Sequence, residues 1–212
     1  MKLSELVFQC IKYGAYLSDT NFLYDAFMNG DFDNDVEYKD AIDKVWFPLN
    51  EALHRLAVKD KIPNRVVELS VDGNVATFKE DATDEERNIA IRNIRNVFQG
   101  SKKIAHRRVG NMLILYGFSG SKPIFAEYKV DIPNFDKDNF KSNDKDLGEE
   151  YGITETACSF IIEYVKSGLL EEIQPEMAYQ HRTVAEQYFA DLDTYNNGFE
   201  QMVVQSVYRI GE

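Results

Sequence analysis

The sequence predicts an α+β fold: a helical bundle of N- and C-terminal helices with an inserted antiparallel β-block and an extended C-terminal tail. Three observations lead there. Apolar residues recur at helical spacing near both ends of the chain. Two-residue alternation, broken by Gly, Asn and Asp turns, fills the middle. An apolar stretch follows the last helical pattern. The implied division is 1–62 for the first helices, 63–133 for the β-block and 134–150 for an acidic linker. A closing helical hairpin takes 151–198 and a docking tail 199–212.

Leu3, Leu6, Val7, Cys10 and Ile11 step by three and four, which gives the first helix. A short helical stretch over 21–28 is stopped by Asn29-Gly30-Asp31. The next helix runs from Tyr38 to Val58 on a stripe that includes Ala41, Val45, Leu49 and Leu56. Pro48 lies inside it and predicts a kink or split near Phe47, because proline lacks the amide and clashes one turn back. Val67, Leu69 and Val71 alternate with polar residues, Asp72-Gly73-Asn74 turns, and Val75–Phe78 resumes as a β-hairpin. Residues 81–86 form an acidic loop. Residues 87–97 mix helical and strand features, with a strand favoured in the second half. Ala105–Val109, Met112–Tyr116 and residues 124–130 add strands, five or six in all.

Residues 134–150 are rich in Asp, Asn and Lys and poor in large apolar groups, so they read as an exposed linker. Ile153, Ala157, Phe160, Ile161, Tyr164 and Val165 give a strong helical pattern, with Gly168 as its break. Pro175 opens the last helix, and Asn197-Gly198 closes it.

The net charge of −12 argues against a dedicated nucleic-acid binder, which needs clustered Lys and Arg. Cys10 and Cys158 sit in apolar helical patterns and read as buried thiols; without a CxxC pair a zinc site is not expected. The first residues lack a signal-peptide layout, and no apolar run reaches the length of a membrane span. Asp31, Asp33, Asp35 and Glu37 resemble the start of a calcium loop, but the sixth and twelfth positions are Val36 and Ile42 in place of Gly and Glu. His54, His106 and His181 show no ligand or relay spacing, and no P-loop, dinucleotide or nucleophile-elbow motif occurs. No catalytic residue, metal or cofactor is expected, and the chain reads as a non-enzyme.

Two features point to partners. Lys102, Lys103, Arg107 and Arg108 form the one basic island. It reads either as a charge-protected strand edge or as an electrostatic contact with an acidic neighbour, which includes the next copy of the chain. In the tail, Phe199 precedes Met202, Val204, Tyr208 and Ile210, which share one face if extended. Burying each large apolar side chain is worth roughly 1.5–3 kcal/mol. Such a tail either adds to its own fold or docks on a partner by strand addition or groove insertion.

Several stretches together resemble a known family. They are Met1-Lys2-Leu3-Ser4-Glu5-Leu6, then Leu49 to Leu56 with Asn50-Glu51-Ala52, then Tyr128-Lys129-Val130-Asp131-Ile132-Pro133, and the closing helical pair. In their order they resemble the head-to-tail adaptor proteins of tailed bacteriophages, especially the tubular adaptor rings of short-tailed phages. The likeness spans nearly the whole chain and departs from the usual pattern in a long loop at 81–96 and the extended linker 134–150. It implies a structural virion protein of the neck, assembled in the host cytoplasm. Its partners would be the portal protein, neighbouring copies in a dodecameric ring, and tail or further ring proteins. DNA would pass through without sequence-specific binding, along an acidic wall that repels it, and no membrane is involved. The alternative is a cytosolic, non-enzymatic binding or regulatory module that uses the β-block. An enzyme assembled from scattered Asp and Glu residues is the third reading.

Overall fold

The computed structural model describes residues 1–12, 23–78, 93–110, 112–120, 122–138, 140–141 and 144–209, with side chains described as far as residue 192. The chain divides into two units. One joins Met1–Ile62 to Asp131–Asn196; the other joins Pro63–Val130 to Asn197–Glu212.

In the first unit, α1 (Leu3–Lys12) buries Leu3, Leu6, Val7, Cys10 and Ile11, the stripe its spacing requires. The short α2 (Tyr24–Asn29) ends at Gly30, whose left-handed φ of 81° lets its amide return to Phe27 and Ala26. The long α3 (Val36–Val58) starts at Asp35, whose carboxylate accepts from the Glu37 and Tyr38 amides at 2.8 and 3.0 Å. The chain later forms α4 (Leu147–Tyr151), α5 (Glu155–Leu170) and α6 (Pro175–Arg209). Both α1 and α3 pack on α5.

Two expectations about breaks are corrected here. The helix α3 is not split at Pro48; it runs through, and the proline is buried. Gly168 does not stop α5. A Cβ built on Gly168 would lie 3.1 Å from Pro48 Cβ. The glycine therefore marks a close approach of the two helices, and its missing side chain makes room for the ring. The chain leaves α5 only after Leu170 and enters α6 at Pro175. The Asn197-Gly198 stop is also overridden. The helix continues to Arg209, so the described part of the tail is helical and not extended.

The acidic linker is corrected as well. Phe135, Phe140 and Leu147 are buried. The Asn50 side chain pairs with both backbone groups of Phe135: its Nδ2 donates to the carbonyl at 2.8 Å and its Oδ1 accepts from the amide at 2.9 Å. The Leu3 amide donates to the Lys145 carbonyl at 3.2 Å and the Leu147 amide to the Met1 carbonyl at 3.0 Å. Asp146 caps α4. Hydrogen bonds from the Glu149 amide and then from the Met1 ammonium hold its carboxyl below the ordinary value. This segment is a strap fastened at three apolar anchors, and its polar composition concealed them.

The second unit is a seven-stranded, wholly antiparallel sheet. Its strands are β1 (Arg65–Asp72), β2 (Val75–Phe78), β3 (Ile94–Gln99), β4 (Lys102–Lys103), β5 (Ala105–Val109), β6 (Met112–Tyr116) and β7 (Ile124–Tyr128). The first and last strands of the block are paired, with Arg65 opposite Tyr128. The spatial order is β4-β3-β7-β1-β2-β6-β5. Its two ends, β4 and β5, are separated in the chain by Ile104 alone. Successive Cα atoms are about 3.8 Å apart, so the ends of the sheet are forced together. The sheet closes on itself as a small barrel.

Ile104 is the corner. Its amide donates to the Val97 carbonyl at 2.8 Å, and its side chain is 2% exposed. Val67, Leu69, Val97, Leu113, Leu115, Ile124 and Ala126 join it in one buried cluster. The expected five or six strands correspond to six around the barrel, with β4 and β5 as one bent strand. The acidic loop and the first half of 87–97 fall at 79–92, outside the described residues.

Candidate interaction surfaces

Hairpin register decides where the basic island points. Ala105 lies opposite Tyr116, Arg107 opposite Ile114, and Val109 opposite Met112. Residues directly opposite share a face of an antiparallel pair. Leu113 and Leu115 are in the barrel core, so Met112, Ile114 and Tyr116 face outward, and Ala105, Arg107 and Val109 face outward with them. Val109, Met112 and Tyr116 are 39, 47 and 48% exposed. Arg107 thus projects from a solvent-exposed apolar surface.

The other basic residues are divided from it. Lys103 lies opposite Phe98 on β3. The Lys102 ammonium donates to the Gly117 carbonyl at 3.1 Å. Arg108 lies opposite Leu113, so it starts from the other face of its strand. The four residues do not make one patch.

The tail residues are also redistributed. Phe199, Met202, Val204 and Tyr208 belong to α6. On a helix, positions 204 and 208 fall one turn apart and position 202 on the other side, so the shared extended face does not exist. Ile210 lies outside the described residues.

The start of α6 carries a set of charged and aromatic contacts to α3 and α5. Over the described side chains Ala178, Ala185 and Leu192 are buried, and Phe189 packs on Phe160 with ring centroids 5.1 Å apart. Arg55 of α3 forks onto Glu186 with two contacts of 2.6 Å and lies 4.3 Å over the Phe189 ring. Arg182 sits 4.1 Å over Tyr164, and Lys61 4.6 Å over Phe189. Glu163 of α5 meets Lys166 and His181 Nδ1, each at 2.6 Å. Burial works to raise the Glu163 carboxyl, but those two hydrogen bonds outweigh it and hold the group below its ordinary value. Sequence spacing could not reveal this set, because Arg55 and Glu186 are 131 residues apart.

A second exposed stripe lies on α3. Val36, Phe47 and Val58 are 80, 79 and 57% exposed. Asp43 and Glu51 stand one turn to either side of Phe47, and both are exposed. Lys137 meets Asp43 at 3.1 Å. Sequence reading gave Phe47 only a place beside a kink, although a large ring between two carboxylates at four-residue spacing was there to notice.

Cys10 and Cys158 are buried free thiols. Burial pushes both up, Cys158 to about 11. Among the described residues no group of three or more His, Cys, Asp or Glu is placed to hold a metal ion. Asp35 serves as a helix cap. Among the described residues, no helix is long and apolar enough to cross a membrane. No protein-family model matches the chain, and no curated protein matches it significantly.

Proposed function

We propose that this chain is a structural ring protein of a virion neck, placed between portal and tail, which passes DNA and offers a platform for tail components. One observation carries the reading: the outward face of the β5–β6 hairpin sets Arg107 among Val109, Met112 and Tyr116, all exposed. Arg, Tyr and Met are the residue types enriched at the centres of protein interfaces. The order of elements adds support, because an antiparallel β-block inserted between helical halves is what the resemblance to adaptor rings leads one to expect. Arg107 on this face acts in register-setting contacts between copies, and a closed ring multiplies weak contacts through effective concentration. The C-terminal helix, with the tail residues on it, is the element offered to the portal.

Native mass spectrometry tests this, with the chain alone and mixed with a portal ring from a short-tailed phage. A ring, or a multimer that forms only on the portal, is the expected result. A monomer indifferent to the portal would sink the proposal and favour a binding module that uses the same hairpin face. Reversing Lys102, Lys103, Arg107 and Arg108 to Glu is expected to weaken assembly while the circular dichroism spectrum persists.

A further inference from the structure

Charge is distributed very unevenly along this chain. Pro63–Val130 carries eleven Lys and Arg against eight Asp and Glu, a net of +3; the rest carries thirteen against twenty-eight, a net of −15. A second copy therefore presents to the barrel a surface of opposite sign. The barrel has an exposed apolar face, and α3 of the helical unit exposes the Phe47 ring. The barrel face is apolar with a cation, Arg107 beside Val109, Met112 and Tyr116. On α3, Phe47 stands between Asp43 and Glu51, with Lys44 and Lys137 beside Asp43.

We infer that the outward β5–β6 face of one copy docks on the Phe47 stripe of α3 in a second copy. This rests on the ring reading and names the surfaces that would build it. The spacing agrees. Arg107 and Val109 are about 6.8 Å apart along their strand, and Asp43 and Phe47 about 6 Å apart along their helix. Arg107 can thus meet Asp43 while Val109 and Met112 cover the Phe47 ring. Asp43 already meets Lys137, but that pair is exposed on both sides and can be exchanged at little cost. The two faces differ, so the contact is heterologous: each copy keeps one face of each kind for a further neighbour, and such a contact builds a ring where its rotation closes.

The test uses Phe47→Ser and Arg107→Glu, each at an exposed position, in native mass spectrometry and sedimentation velocity. Wild-type chain is expected to form concentration-dependent multimers. Each variant alone is expected to dissociate at least tenfold more readily, with an unchanged melting curve. Mixed one to one, they are expected to form a dimer, because the hairpin of the Phe47 variant and the helix of the Arg107 variant remain intact. Failure of the mixture to dimerise overturns the pairing. Variants that assemble like wild type overturn the surfaces while leaving the ring reading intact. A wild-type chain that is monomeric alone overturns the inference, and its behaviour with the portal then judges the ring reading separately. Loss of double-stranded DNA binding in Arg107→Glu, with self-association unchanged, would make the hairpin a nucleic-acid surface and overturn it as well.

Discussion

Replacing Ile104 by alanine probes the closure of the barrel at a single residue. The substitution removes three carbons from a side chain that is 2% exposed. At about 0.8 kcal/mol per buried methylene the transfer loss is about 2.4 kcal/mol. The cavity left behind brings the total into the range of about 2–5 kcal/mol known for such truncations. Alanine keeps the amide that donates to Val97, so the loss reports packing and not the backbone bond. At 1.4 kcal/mol per factor of ten, the smaller figure raises the opened population roughly fifty-fold. Hydrogen exchange read by mass spectrometry should show that acceleration in peptides from both β3 and β6, the strands joined through this corner. Val109→Ala, at the exposed hairpin tip, is the control and should stay within about 0.5 kcal/mol. A cost below about 1 kcal/mol, or acceleration confined to one of the two flanking strands, would refute the closed barrel.

Gly168→Leu should lower the melting temperature, because overpacking against Pro48 costs about 1–3 kcal/mol and outweighs the roughly 1 kcal/mol gained by removing a helical glycine; a more stable variant would disprove the close approach. Asn50→Ala leaves the Phe135 amide and carbonyl without their partner, at a cost of about 1–3 kcal/mol, and limited proteolysis should then cut within 131–150 before the helices. Glu163 has its carboxyl depressed on folding, so its contribution is present above the unfolded value near 4.5 and is lost as pH falls through the folded one. Glu163→Gln should therefore flatten the acid limb of melting temperature against pH below that value, and an unchanged limb would assign acid sensitivity elsewhere.

Elements with a local signature were legible in the sequence. The stripe of α1 and the Asp72-Gly73-Asn74 hairpin are written in consecutive residues and form as read. Readings failed where a residue's meaning is set by a distant partner. Gly168 looks like a break, yet its missing side chain makes room for the Pro48 ring of another helix. Phe135 and Phe140 look stranded in a polar run until the helices they cover are present. Barrel closure depends on strand order, which no local pattern carries. At the candidate surface, the positive charge of Arg107 was legible. The apolar ground around it was not, because Met112 and Tyr116 belong to a strand whose alternate residues are core, and only register decides which side faces out.

The pairing of Arg65 with Tyr128 has a consequence for how such a chain can change over generations. The barrel leaves the helical sequence after Ile62 and rejoins it at Asp131 through two neighbouring strands, whose facing Cα atoms lie about 5 Å apart. An insert with its two stems side by side behaves like a plug with a two-pin base. A host loop of a few residues spans the same gap, so the block between the stems can be lengthened without moving the two stem positions. Sequence change within Pro63–Val130 is thereby confined to one side of a fixed junction.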